Sequence, residues 1–198
     1  MSVSMCPDSL PLTAPTPTSI PTPDTLAYSL TLPSALITPA IARTATRAVL
    51  NAHGLTGLLD PALLAVSELV TAACRFTAPA SDVYLSLRYR DGALRVILYD
   101  GHPRHTHPRL AAACDARRRS ALRLLARVVR ECGGEWGFGD AREPAGGTRM
   151  WAVLPSSGAA AYGRADAQPC VAPWTAGAAA SRSSAARPEQ AGSSFPAS

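Results

Sequence analysis

A single carboxylate, Glu68, lies in the middle of the apolar run LLAVSELVTAA at positions 63–73. The apolar residues recur at helical spacing, so the run predicts a largely buried helix. A carboxylate beside a core is costly unless it is paired or takes part in chemistry. Two interpretations follow: Glu68 is a general base, or it faces solvent or pairs with Arg47 or Arg75. The helix geometry alone favours the second.

Polar residues also cluster where a predicted strand ends, at Asp100 and Gly101. An acidic residue followed by glycine is typical of a turn. The next loop carries His102, His105 and His107 with the spacing H-x-x-H-x-H, and imidazole nitrogens are zinc ligands. No cysteine pair or carboxylate lies close by in the sequence, so an exposed loop is favoured and no metal site is predicted.

The basic residues are unusual in type, because all 19 are arginine. The absence of lysine excludes P-loop nucleotide-binding proteins and Schiff-base enzymes. Six of the arginines lie in a predicted amphipathic helix at about 115–132: Arg117, Arg118, Arg119, Arg123, Arg127 and Arg130. Neither a helix-turn-helix signature nor interleaved aromatic residues accompany them. A solvated face is therefore favoured, an acidic protein partner comes second, and nucleic-acid binding comes last.

The elements that position these residues can be read from periodicity and turn residues. Alternation predicts strands at 26–32, 82–90 and 93–100, the last two joined as a hairpin at Asp91-Gly92. Helices are predicted at 38–54 and 60–76, ahead of the arginine-rich helix, and a second strand pair follows at 134–140 and 146–155. The order predicts an α+β fold, a two-layer sandwich of a mixed, largely antiparallel sheet with helices on one face.

Composition divides the chain into three parts. Residues 1–25 are rich in Pro and Thr and predict a disordered leader, and residues 156–198 predict a disordered tail rich in Ala, Ser and Gly. The folded domain is expected at 26–155. The sequence shows neither a signal peptide nor an uninterrupted apolar run of roughly 18 residues, and its five cysteines form no C-x-x-C pair. These features predict a soluble cytoplasmic protein.

The stretch AVSELVTAACRFT resembles the conserved helix of the GHKL (histidine kinase/gyrase-like) ATPase superfamily, in its branch of small anti-sigma-factor serine kinases. That helix typically reads S-E-L-V-T-N-A. Further segments are similar in the same order: IARTATRAVLNAHGL, LRVILYDGHPR, SALRLLARVVRECGGEWGF and GGTRMWAVLP. The resemblance covers nearly the whole predicted domain and implies the GHKL (Bergerat-type) version of the sandwich.

The resemblance implies a function and a set of site residues. Glu68 would be the general base, and Asp100 would accept a hydrogen bond from the adenine amino group of ATP. Gly101, Gly147 and Thr148 would also contact the nucleotide. The implied function is regulation by a serine kinase, with a sigma factor, an anti-anti-sigma-type antagonist or both as partners. A homodimer is compatible with this assignment, whereas a membrane partner is not expected.

Several departures from the family pattern affect the nucleotide site. Ala72 stands where the family has the asparagine that holds Mg²⁺, and a methyl group cannot bind a hard cation. Residues 119–122 replace the phosphate-wrapping G-R-G-L, while Arg149 and His102 replace smaller residues. These changes predict an impaired Mg-ATP site. The alternatives are a nucleotide-free protein-interaction module, and triphosphate binding at a different place by the charges of Arg117, Arg118 and Arg119.

Overall fold

The computed structural model describes residues 20–79, 81–103, 105–141 and 146–162. Five strands form one sheet in the order β1-β2-β3-β5-β4, and every neighbouring pair is antiparallel. The strands are β1 Ala27–Pro33, β2 Asp82–Arg90, β3 Ala93–Asp100, β4 Glu135–Asp140 and β5 Thr148–Pro155. The α+β class is thus confirmed, and the sheet is antiparallel throughout rather than mixed.

The β2–β3 hairpin turns at the predicted dipeptide. Asp91 and Gly92 both have positive φ values, 56° and 71°. Two consecutive left-handed residues make the tight turn whose twist matches that of paired strands. This turn sets the register in which Arg90 pairs with Ala93 and Tyr84 with Tyr99.

In the described part of the chain, five α-helices accompany the sheet: α1 Thr38–Ala52, α2 Leu59–Phe76, α3 Pro108–Ala121, α4 Arg123–Glu131 and α5 Ser156–Ala161. Helices α2 and α4 lie directly on the sheet, and α1 packs against α2. Side chains of β2, β3 and β5 alternate between buried and more exposed positions, so the helices cover one face of the sheet, as predicted.

Helix α2 forms the centre of the core. Val66, Leu69, Val70 and Ala73 are fully buried at helical spacing, and burying a Val or Leu side chain contributes about 1.5–3 kcal/mol. By length and composition the segment Thr56–Phe76 could cross a membrane, with mean hydropathy 1.5, but half of it is buried inside this fold. Its apolar side chains pack as in the core helix of a soluble protein.

The arginine-rich segment differs from the single helix predicted at 115–132. The helix begins earlier, at Pro108, where a proline occupies the first helical position and needs no hydrogen-bond donor. It then breaks at Leu122, whose φ of −98° and ψ of 19° fall outside the α-helical range. No glycine or proline marks this break. The result is two helices, α3 and α4, in place of one.

The predicted domain boundaries are also too narrow. Residues 156–161, assigned to a disordered tail, form α5, where the Ser156 hydroxyl bonds to that of Tyr89 at 2.8 Å. At the other end, a short 3-10 helix at Pro23–Thr25 belongs to the fold, and the Thr22 carbonyl bonds to the His53 ring. The rest of both predicted tails, 1–19 and 163–198, lies outside the described residues.

Candidate functional site

The end of β3 lies beside the start of β5, where Asp100 pairs with Thr148. Because Gly101 and Gly147 flank this pair, four of the five predicted site residues meet at one edge of the sheet. The Thr148 hydroxyl donates a hydrogen bond to the His102 carbonyl at 3.0 Å. This hydrogen bond joins the loop after β3 to the start of β5 at the candidate site.

The two glycines at this junction have different roles. Gly147 has a φ of +85°, and a Cβ on it would lie 2.1 Å from the Asp100 carbonyl oxygen. Only glycine permits this backbone approach. A Cβ on Gly101 would meet nothing within 4 Å. Gly147 is thus needed for chain packing, whereas Gly101 borders open space.

The carboxylate of Asp100 is occupied by the protein itself. Its Oδ2 accepts a hydrogen bond from Nη1 of Arg118 at 2.6 Å, and its Oδ1 accepts one from the backbone N–H of His102 at 3.0 Å. The side chains of Arg118 and Asp100 are only 2% and 0% exposed. Both oxygens of the predicted adenine acceptor therefore already have donors.

Arg118 holds its position through contacts on several sides. Its guanidinium carbon lies 4.1 Å from the centre of the Phe76 ring, and its Nη1 lies 3.2 Å from Sδ of Met150. A guanidinium is planar and weakly hydrated, so it stacks readily on an aromatic ring. Its Nη2 is buried and has no hydrogen-bond partner among the described residues. A flat cationic group therefore fills the space beside the predicted adenine acceptor.

Glu68 is separate from this cluster. It is half-buried on α2, and the structure gives it no hydrogen bond or ion pair to another described residue. Burial raises the pKa of Glu68, and the charge of Arg75 opposes this shift. Of the two arginines proposed to neutralise it, Arg75 acts through its electric field without forming an ion pair.

The residues that replace the expected Mg²⁺ and phosphate contacts lie in two different surroundings. Ala72 is only 1% exposed and belongs to the core. A nearby cavity of about 320 Å³ lies between the end of α2 and helix α3, with Arg75, Phe76, Arg117, Ser120 and Ala121 in its walls. Arginine and serine side chains, rather than glycine backbone, therefore face this space.

The three consecutive arginines of α3 do not act together. Arg117 lies 6.0 Å from the centre of the Phe76 ring, and Arg118 is buried against Asp100. Arg119 contacts a different ring, with its guanidinium carbon 5.6 Å from the centre of Phe138. The structure therefore does not bring the three guanidinium groups to one site, because successive side chains on a helix are turned by about 100° from one another.

The histidine loop has a partner that the sequence interpretation missed. Nε2 of His102 lies 3.4 Å from Sγ of Cys114 on α3, and one ligand atom from each of His102, His105 and Cys114 lies within 4.8 Å of the others. Burial, followed by the charge of Arg118, lowers the pKa of His102 and favours its neutral form. The sequence argument considered only a cysteine pair or a carboxylate close by in the sequence, whereas the structure brings a single cysteine, Cys114, to the loop. His107 is outside the cluster.

A basic groove lies on the outer side of α3 and α4. Its volume is about 520 Å³, and it is lined by Ala116, Arg119, Ser120, Arg123, Ala126, Arg130 and Trp136. The three arginines are exposed, and Trp136 is partly buried at the start of β4. The groove combines positive charge with an aromatic surface.

The fold and the site define an α+β sandwich protein in which a buried arginine neutralises the carboxylate at the end of β3. The sequence matches no protein-family model and no curated protein.

Proposed function

We propose that this protein is a regulator of the anti-sigma-factor type that binds its partner without nucleotide. It would be a cytoplasmic pseudo-ATPase. One observation carries the proposal: the buried ion pair between Arg118 and Asp100, 2.6 Å long, occupies the carboxylate that would otherwise receive adenine.

The energetic cost of displacing Arg118 supports the absence of nucleotide binding. Breaking a buried ion pair by removing one partner costs about 3–5 kcal/mol. A ligand that would otherwise bind at micromolar concentration gains about 8 kcal/mol, and each 1.4 kcal/mol changes the affinity about tenfold. Displacement would therefore weaken ATP binding by two to four orders of magnitude, from micromolar to between about 0.1 mM and 10 mM.

The remaining chemistry supports the same proposal. Ala72 cannot bind Mg²⁺, and it is packed in the core. Glu68 has no polar partner within the described residues that would orient it as a general base. Phosphoryl transfer depends on metal and positioning, so kinase activity is not part of the proposed function.

The basic groove supports a protein partner with an acidic surface. Arg119, Arg123 and Arg130 would attract carboxylates, and Trp136 would contact an apolar side chain between them. A sigma factor or its antagonist with an acidic segment fits this chemistry. Nucleic acid is the competing occupant, because phosphates would also be attracted to the arginines.

Calorimetric titration of the full chain with ATP, with and without Mg²⁺, tests the nucleotide half of the proposal. We expect a dissociation constant for ATP no tighter than about 0.1 mM. Arg118→Ala frees the Asp100 carboxylate, so this variant should acquire weak, Mg²⁺-independent binding of adenosine. Micromolar ATP binding by the wild-type chain would refute the pseudo-ATPase assignment.

Pairwise binding to purified sigma factors and antagonists tests the partner half. Arg123→Glu/Arg130→Glu reverses two charges in the groove and should weaken complex formation. Arg88→Glu/Arg90→Glu makes the same charge change on exposed positions of β2 and serves as the control. Equal effects of the two double variants would exclude the groove as the binding site. Salt-dependent DNA binding without protein binding would favour nucleic acid instead.

A further inference from the structure

The side chains of His102, His105 and Cys114 converge although they come from two different elements. His102 and His105 belong to the loop after β3, and Cys114 lies in the second turn of α3. All three are half-buried, and the two imidazole rings meet edge to face with their centres 5.2 Å apart. We propose that these three side chains bind one Zn²⁺ ion, with a water molecule as the fourth ligand.

The distances fit this assignment. Zinc binds imidazole nitrogen at about 2.0–2.1 Å and thiolate sulfur at about 2.3 Å, so tetrahedral geometry separates the two donors by about 3.5 Å. The observed separation of Nε2 of His102 from Sγ of Cys114 is 3.4 Å. The full set of ligand atoms lies within 4.8 Å, so the atoms would move closer together when the ion binds.

The donor types select the metal. Two imidazoles and one thiolate suit zinc, whereas Mg²⁺ and Ca²⁺ prefer oxygen ligands. Three protein ligands leave one coordination position for solvent, which the half-buried state of the cluster permits. This site is distinct from the Mg²⁺ position that the family resemblance implies at Ala72.

The surroundings fix His102 before metal arrives. Its backbone N–H bonds to Asp100 and its carbonyl accepts the Thr148 hydroxyl, while its ring centre lies 5.7 Å from that of Phe76. A ligand held in this way loses little freedom when it binds a metal.

The proposed ion would also connect the loop to α3. Cys114 and Arg118 are four residues apart on α3 and so lie on the same face of the helix. Zinc bound at Cys114 would therefore fix α3 beside the loop on the face where Arg118 meets Asp100.

Titration of the reduced, EDTA-treated full chain with Co²⁺ and then Zn²⁺ tests the site. We expect one Co²⁺ per chain with a thiolate-to-cobalt charge-transfer band that Zn²⁺ abolishes. Cys114→Ser should remove the band and weaken zinc binding more than about 100-fold, beyond the cost of losing an outer-shell contact. His105→Ala should weaken binding in the same direction. Cys114→His supplies a nitrogen ligand and should retain zinc without the charge-transfer band.

Two matched variants serve as controls. Cys74→Ser removes a different thiol, and His107→Ala removes the loop histidine outside the cluster. Both should bind metal like the wild type, and circular dichroism should show that every variant is folded. Absence of the band in the wild type, or its loss in Cys74→Ser, would overturn the proposal and leave a thiol–imidazole hydrogen bond. Zinc binding is measured without nucleotide, so failure here would leave the proposed function untouched.

Discussion

Replacing Arg118 with methionine removes the charge that neutralises Asp100 while keeping an unbranched side chain in the space. Asp100 would then be a buried carboxylate with one backbone N–H, that of His102, as its donor. Removing one partner of a buried ion pair costs about 3–5 kcal/mol. Proteins of this size have about 5–15 kcal/mol of total stability, so the loss would be large. Asp100→Asn leaves the buried Arg118 cation unneutralised and should cost a similar amount.

The double variant Arg118→Met/Asp100→Asn removes both charges. It should be far more stable than the sum of the two single costs, about 6–10 kcal/mol, predicts, because neither charge is left unpaired. It also removes the unsatisfied Nη2 donor of Arg118, and a buried donor without a partner costs about 1–3 kcal/mol. The double variant should therefore approach wild-type stability.

Urea unfolding followed by circular dichroism measures all four free energies of unfolding. Arg95→Met is the control, because Arg95 pairs with Asp91 at 3.4 Å with both side chains largely exposed. Loss of that pair should cost less than about 1 kcal/mol. Single costs at Arg118 and Asp100 as small as that of the control, or additive effects in the double variant, would refute the view that the two side chains form a coupled, buried ion pair.

Three further predictions concern the other site residues. Gly147→Ala should lower the unfolding free energy by at least about 2 kcal/mol, because the φ of Gly147 is +85° and the new Cβ would meet the Asp100 carbonyl. Gly101→Ala is the control and should be nearly neutral, because open space surrounds Gly101. Equal costs of the two substitutions would contradict this contrast. Ala72→Asn should destabilise the protein by about 1–3 kcal/mol, because Ala72 is buried and the amide would lose its hydrogen bonds to water. Calorimetry of this variant should show no Mg²⁺-dependent ATP binding. A stable variant that gains such binding would restore the hypothesis of a nucleotide site. Burial raises the pKa of Glu68 above its ordinary value of 4.5. The stability that the protonated form contributes is therefore complete below pH 4.5, and it is lost as the pH rises through the raised pKa. Glu68→Gln should therefore raise the urea midpoint at pH 7 and leave it unchanged at pH 4, whereas a lower midpoint at pH 7 would mean that the carboxylate is stabilised by its surroundings.

The fold was largely predictable because its signals are local. Alternating residues identify β2 and β3, and Asp91-Gly92 identifies their turn. The spacing of Val66, Leu69 and Ala73 identifies the buried face of α2. Each of these signals depends on the repeat of one element, which is a property of neighbouring residues.

The ends of elements were less predictable. The break at Leu122 has no proline or glycine, and residues 156–161 have the small-residue composition of a linker although they form α5. In both cases packing against the rest of the fold outweighs weak local preference.

The candidate site was also predictable in part, and the rest of it depends on tertiary packing. The family resemblance implied Asp100, Gly101, Gly147 and Thr148 as one group, and the structure brings them together because the end of β3 pairs with the start of β5. The state of the group depends on Arg118, which appeared in the sequence as one of six similar arginines. Only the packing of α3 over the end of β3 distinguishes Arg118 from Arg117 and Arg119.

The sequence by itself thus determined a two-layer α+β scaffold and the position of an acidic residue at the end of its central strand. Periodicity and turn residues are local features, so they can be read from the sequence without knowledge of distant contacts. The tertiary structure alone decided that Arg118 fills the space beside Asp100 and that Cys114 joins the histidine loop. Those contacts join residues 12 to 18 positions apart. They depend on the position of α3, whose Arg118 packs against Phe76 of α2 and against Asp100 at the end of β3.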